Sequence, residues 1–268
     1  MTFGSLFAGI GGLDLGLERA GMQCRWQVEI NPYAQRVLTK HWPEVRRHDD
    51  IKTWPESDTE SVDLICGGFP CQDISFAGKG AGLSGERSGL FYELIRVVRE
   101  MGPRYVLLEN VSALLVRGID DVLGTLASIG FDAEWHCIPA AAVGAPHIRD
   151  RVFILAYAQS QPGRNITSDF RNGQERHSRD ESRSDCEDAG TLADTDREPL
   201  FSLRTQSGIG KGEKVHIGAW ATEPDVGRVA DGVPARVDRL RGLGNAVVPQ
   251  VAEFIGNAIV EHERRHFS

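Results

Sequence analysis

The sequence is short of cysteine, of aromatic residues, of long apolar runs and of net positive charge, and each shortage excludes a class of protein. Its five cysteines, Cys24, Cys66, Cys71, Cys137 and Cys186, are odd in number and include no CxxC pair. That spacing fits neither a disulfide framework nor a zinc cluster, so no metal is expected and a reducing cytoplasm is. No apolar stretch approaches the roughly 18–20 residues that cross a bilayer. The opening MTFGSLFAGIGG has no basic segment ahead of an apolar core, so neither a membrane span nor a secretory leader is expected. With 30 Lys+Arg against 38 Asp+Glu the formal charge is -8, and any nucleic-acid partner would need a local basic face.

What is present is an ordinary globular composition, 41% hydrophobic with 30 glycines, in 268 residues. That length suits one sizeable core with an appendage. Short β-like runs at 3–7, 26–29, 62–66, 105–109, 133–138 and 152–157 alternate with helical patterns at 12–20, 32–41, 89–100 and 119–129. Such alternation predicts βαβ units on a parallel sheet, a doubly wound Rossmann-like α/β fold. Ligands of such sheets sit outside the strand ends. Residues 159–215 lose the period in favour of Ser, Asp, Glu, Arg and Gly, which predicts an irregular, partly flexible insert. Val247, Val248, Val251, Phe254, Ile255, Ala258 and Ile259 then recur at helical spacing, predicting a terminal helix that docks back on the sheet.

Four groups of residues carry candidate chemistry. Phe7-Ala8-Gly9-Ile10-Gly11-Gly12 follows the first strand and opens a helix, and Glu29 closes the second strand. A glycine turn admits a ligand close to backbone, and a carboxylate at the next strand end can accept hydrogen bonds from ribose hydroxyls. A plain tight turn has the same sequence. Asp50, after a third β-type segment, could reach an adenine amino group or simply cap a helix. Gly67-Gly68-Phe69-Pro70-Cys71-Gln72 presents Cys71 at the ligand edge like a nucleophile, although most cysteines only fill cores, as Cys24, Cys66 and Cys137 are expected to do. Glu109-Asn110-Val111 places a carboxyl at an apolar strand end, suited to protonating a ring nitrogen or to an ion pair or cap. In His147-Ile148-Arg149-Asp150-Arg151, strand alternation would send both arginines to one side, facing a base carbonyl, a phosphate or a buried carboxylate.

In this order and spacing the four elements resemble the cytosine-C5 DNA methyltransferases, over residues 1–158 and about 240–260. FAGIGG looks like that family's S-adenosylmethionine loop, GGFPCQ its nucleophile motif, ENV its glutamate motif and HIRDR its paired-arginine motif. Arg87-Ser88-Gly89-Leu90-Phe91, after a glycine-rich stretch, is similar to the end of its catalytic loop, and Gly244-Asn245-Ala246-Val247-Val248-Pro249 to its last motif. The resemblance implies a methyltransferase-type fold divided into a catalytic domain 1–158, a target-recognition region 159–240 and a C-terminal segment 241–268. It implies Cys71, Glu109, Arg149 and Arg151 as catalytic residues. For S-adenosyl-L-methionine it implies Phe7, Gly9, Ile10, Gly11, Gly12, Glu29, Ile30, Asp50, Ile51, Pro70, Leu90, Asn245 and Ala246. Two departures stand out: His147 occupies a position where glutamine is usual, and Ser5 one where aspartate is common.

The activity implied is methyl transfer to C5 of a flipped-out cytosine in a specific duplex DNA sequence, through a covalent bond from Cys71 to C6. Double-stranded DNA is the implied partner, with a cognate restriction endonuclease acting separately as a further candidate. Arg228, Arg236, Arg239 and Arg241 are the favoured phosphate contacts, ahead of Arg164, Arg171, Arg176, Arg179 and Arg183, which are interleaved with acids. Two alternatives stay open: the same chemistry on tRNA, and a partner-dependent DNA-binding subunit that keeps the fold with little turnover.

Overall fold

The computed structural model describes residues 1–70, 89–158, 190–192 and 236–267. Five strands run parallel, β1 (Thr2–Leu6), β2 (Gln23–Val28), β3 (Arg46–His48), β4 (Leu64–Gly68) and β5 (Tyr105–Val111). With β6 (Phe131–Pro139), β7 (Asp150–Ala158) and β8 (Gly190–Leu192) they form a sheet ordered β3-β2-β1-β4-β5-β7-β6-β8. The α/β, doubly wound expectation holds, with both faces of the sheet covered. On one face lie α3 (Gly89–Met101), α4 (Leu114–Arg117) and α5 (Ile119–Ser128); on the other, α1 (Gly12–Arg19) and α7 (Pro249–Phe267).

Strand alternation explains the two cores. Val106 and Leu108 of β5, and Val152, Ile154 and Ala156 of β7, join Phe91, Leu94, Val98, Val122 and Leu126 from α3 and α5. Tyr105, Leu107, Phe153, Leu155 and Tyr157 point the other way, onto Leu13, Leu17, Val251, Ile255 and Ile259. Strands buried on both faces read as continuous apolar runs, which is how these appear in the sequence. The predicted terminal helix is α7, although Phe254 of its expected apolar set is 42% exposed. Two devices seat it. A Cβ on Gly16 would lie 2.3 Å from the Pro249 carbonyl and 2.4 Å from Ala252 Cβ, so only glycine lets α1 and α7 approach this closely. Farther along, Tyr105 Oη donates to Glu263 Oε1 at 2.8 Å and Arg104 Nη1 to Glu263 Oε2 at 2.5 Å, tying α7 to the start of β5.

The wholly parallel sheet is corrected. β7 is antiparallel to both β5 and β6, and β8 is antiparallel to β6. Only residues 140–149 join β6 to β7, with a single 3-10 turn Ala140–Val143 between them. A parallel crossover needs a dozen or more residues and usually a helix, so β7 turns straight back. The reversal matters for function: Arg151 at the beginning of β7 pairs with Val111 at the end of β5. The first residues of β7 therefore share an edge with the last residues of the parallel strands.

Candidate active site

Along that edge a cavity of about 360 Å³ is bounded by the β1–α1 loop, Glu29, the β4 and β5 ends, Arg151 and the helix α6 (Arg236–Asn245). The loop is built on left-handed backbone, with Phe7 at φ 53°, Gly9 at 57° and Gly11 at 84°. Glycine is the residue that adopts that region without strain. Gly9 N–H donates to Glu29 Oε2 at 2.7 Å, and Asn31 N–H donates to Oε1 at 2.8 Å. One lone pair of each carboxylate oxygen is thus used and another remains. Asn31 also caps α2 (Pro32–His41), accepting from the N–H groups of Tyr33 and Ala34. Two of the loop glycines make room for protein as well. A Cβ on Gly11 would strike the Trp42 ring at 2.4 Å, and one on Gly12 the Val247 carbonyl at 2.4 Å.

Beneath the loop lies a polar network inside an apolar layer. Asp14 of α1 is fully buried, accepting from Ser5 Oγ at 3.0 Å and Gln27 Nε2 at 2.7 Å. Arg47 Nε donates in turn to Gln27 Oε1 at 3.0 Å. Burial pushes the Asp14 carboxyl up to about 6, against the hydrogen bonds from Gln27 and Ser5. The serine found where an aspartate is common therefore partners an acid supplied by the helix.

Glu109 closes the other half of the cavity, 9% exposed, with its Oε1 2.9 Å from Arg151 Nε. Burial raises its carboxyl above the ordinary range, while the charges of Arg151 and Arg149 pull it back down. Gly68 makes space for it, since a Cβ there would stand 2.8 Å from Glu109 Oε2. Asn110 is buried and donates through Nδ2 to Phe69 O at 3.1 Å, fixing the chain just ahead of Pro70. Cys71 lies outside the described residues, as do 159–189 and 193–235, where most of the expected target-recognition region falls.

The two arginines are not carried by one regular strand. Strand β7 begins at Asp150, and Arg149 before it has φ 40°, so regular alternation does not reach it. Arg151 lines the cavity; Arg149 instead donates from Nη2 to the carbonyls of Gly244 and Ala246, each at 2.7 Å. It clasps the turn that follows α6.

Residues 1–214 match the family described as C-5 cytosine-specific DNA methylase. The chain belongs to that family. M2.BsuMI, a type II methyltransferase of Bacillus subtilis strain 168, is 36% identical over 166 residues, covering 59% of this chain and 42% of the relative. M.HhaI, a type II methyltransferase of Haemophilus parahaemolyticus, is 32% identical over 161 residues, covering 59% and 49%. The chain therefore spans just under half the length of these curated relatives. A DNA modification methyltransferase encoded within an E. coli prophage superposes with TM-score 0.50 at 26% identity, covering 59% of this chain and 47% of that one. The S. pombe Dnmt2 methyltransferase, at 20% identity and TM-score 0.51, covers 65% and 57% and shares the fold.

Apart from Cys71, the residues expected from the C-5 cytosine methylase motifs divide in two. Phe7, Gly9, Ile10, Gly12, Glu29, Pro70, Glu109, Arg151, Asn245 and Ala246 line one cavity. Gly11, Ile30, Asp50, Ile51, Leu90 and Arg149 are not part of its lining. Asp50 does cap, accepting from Lys52 N–H at 3.0 Å at the head of the 3-10 turn Ile51–Thr53. Ile51 is 4% exposed, so its side chain serves the core, and Leu90 packs partly buried against that core. Arg96 of α3 holds this turn through the carbonyls of Ile51 and Trp54, at 2.7 and 2.6 Å. Sequence reasoning missed Asp14, Gly68, the Asn110 amide and the cavity-lining Asp238. The clearest available signal was Asp14, an acid three residues from Leu17 on the buried face of α1.

Proposed function

We propose that this chain methylates C5 of cytosine in duplex DNA, using S-adenosylmethionine. The observation that carries the reading is that a single cavity joins the Glu29-braced glycine loop to the Glu109–Arg151 pair, with Pro70 at its wall. The residues fit the cofactor: the free lone pairs of Glu29 suit ribose hydroxyls, and Ile30 beside it is 71% exposed, an apolar side chain that a purine face would cover. Bound there, S-adenosylmethionine supplies an electrophilic methyl group on a sulfonium.

Cytosine C5 is too weak a nucleophile to accept that methyl unaided. Cys71, next after Pro70, adds its sulfur to C6, and Glu109 gives a proton to N3, so that C5 becomes enamine-like. A carboxyl whose proton affinity is raised by burial suits this transfer. Arg151 holds the base at O2 and balances the ionised Glu109. After C5 has taken the methyl group and the sulfonium has become a neutral thioether, the C5 proton leaves to a base, the C5–C6 double bond reforms, the Cys71 sulfur is expelled as thiolate and N3 returns its proton to Glu109. A stacked base cannot reach this cavity, so the cytosine is flipped out, at a cost of a few kcal/mol. We assign cofactor binding and catalysis to residues 1–158 and the C-terminal segment, and target choice to 159–240, whose last residues belong to α6. By likeness to its relatives we read it as a type II modification enzyme.

Base-resolution mapping of 5-methylcytosine in DNA from cells expressing the chain tests the reading. Methylation at one recurring sequence is the expected result. Activity on tRNA with none on duplex DNA would replace DNA as the substrate.

A further inference from the structure

The face of α6 turned to the cavity carries two opposite charges that nothing else in the described chain engages. Asp238, Arg241, Gly242 and Asn245 all line the cavity, at the three- and four-residue spacing that shares one side of a helix. That side is seated firmly: a Cβ on Gly242 would lie 3.2 Å from Ile10 Cγ2 and 3.6 Å from Tyr33 Cε1. Its C-terminal end is held by the Arg149 bonds to Gly244 and Ala246. The other cavity charges are occupied, Glu29 by two backbone N–H groups and Glu109 by Arg151. Among the described residues no hydrogen bond or ion pair engages Asp238 or Arg241.

We propose that Asp238 and Arg241 receive the amino-acid end of S-adenosylmethionine, Arg241 its carboxylate and Asp238 its ammonium. This rests on the cofactor reading above and adds residues to it. Glu29 at the β2 end suits the ribose, and the methyl must face the Glu109 side, which leaves the zwitterionic end to be matched by a cation and an anion a short distance apart. Without Arg241 a carboxylate would enter a cavity lined by Glu29, Glu109 and Asp238 with Arg151 as the only arginine among the described residues, and that cation already pairs with Glu109. Arginine is well shaped for a carboxylate, presenting a planar fork of donors. The sequence pattern had suggested Arg241 as a DNA phosphate contact; its place on the cavity wall assigns it to the cofactor.

Calorimetric titration of the full chain with three probes tests this. S-adenosylhomocysteine keeps both charges, its decarboxylated form keeps only the ammonium, and methylthioadenosine has neither. Arg241→Gln should weaken S-adenosylhomocysteine about 10- to 100-fold, as for one charged hydrogen-bonding pair, and leave the other two probes unchanged. Asp238→Asn should weaken S-adenosylhomocysteine and the decarboxylated probe alike and spare methylthioadenosine, and Arg241→Lys should fall between wild type and Arg241→Gln. Failure of the wild-type chain to bind S-adenosylhomocysteine would sink the cofactor reading itself. With wild-type binding intact, three results overturn the present proposal: no change in either variant, equal losses for all three probes, or a loss confined to duplex DNA affinity.

Discussion

Removing the Arg149 guanidinium tests the division of labour within the arginine pair. Its Nη2 makes two bonds of 2.7 Å to the carbonyls of Gly244 and Ala246. A hydrogen bond to a charged donor contributes about 1.5–3 kcal/mol when shielded, and the Gly244 end is exposed, so both together contribute about 2–3 kcal/mol to docking the turn. Because Asn245 and Ala246 line the cavity, Arg149→Ala should weaken S-adenosylhomocysteine binding by up to roughly 30- to 150-fold, about 1.4 kcal/mol per factor of ten. Arg149→Gly should be milder by about 1 kcal/mol, since φ 40° is unstrained for glycine. Glu109 would also lose one of the two cations that lower its carboxyl. Its proton would then be kept to higher pH, and the pH dependence of kcat should move upward. Calorimetry and a pH–rate profile read both effects. If Arg149→Ala leaves cofactor affinity unchanged but weakens duplex binding or kcat alone, Arg149 acts on the nucleotide and the clasp is irrelevant to function.

Glu29→Ala should weaken S-adenosylmethionine by about 1–3 kcal/mol with the fold kept, and unchanged affinity by calorimetry removes Glu29 from the site. Asp14, raised from 3.8 to about 6, binds a proton in the folded chain before it does in the unfolded one, so its contribution to stability is greatest well below pH 3.8 and falls by about 3 kcal/mol in all as pH rises through and beyond 6. Urea unfolding across that window should show a stability difference between wild type and Asp14→Asn that changes by about this amount, and a constant difference refutes the assignment. Gly16→Val drives methyl groups into the Pro249 carbonyl and Ala252, and should cost at least the usual 1–3 kcal/mol of overpacking, lowering the melting temperature and loosening the turn at 244–246 together. An unchanged melting temperature would contradict the close approach of α1 and α7.

Much of this was legible because strand ends and motifs coincide. FAGIGG, Glu29, Pro70 and Glu109 sit where a βαβ chain deposits its loops, and their spacing alone brings them to one edge. The reversal of β7 was not legible, because a doubly buried strand reads as the same apolar run in either direction; only the short link 140–149 bears the information. The contacts of Arg149 were not legible for a related reason, since alternation holds only inside a strand and the backbone turns left-handed just before β7 starts. Gly12 reads only as part of the ligand loop, yet it and Gly16 are each demanded by a neighbour far away in sequence, Val247 and Pro249. Asp238 is one charge among many, and Arg241 one of several candidate phosphate contacts, until α6 is laid across the cavity.

Covalent catalysis by Cys71 on cytosine is tested most directly by a substrate with no C5 hydrogen to lose. Fluorine at C5 cannot leave as a proton, so the bond between the Cys71 sulfur and C6 should persist after methyl transfer. Duplex DNA carrying 5-fluorocytosine at the mapped target, incubated with the chain and S-adenosylmethionine, should give a denaturant-resistant protein–DNA adduct whose peptide map places the link at Cys71. Cys71→Ala should form none while still binding the duplex through phosphate contacts. A wild-type preparation that methylates this site yet forms no adduct, or forms one at Cys66 or Cys137, would contradict the mechanism.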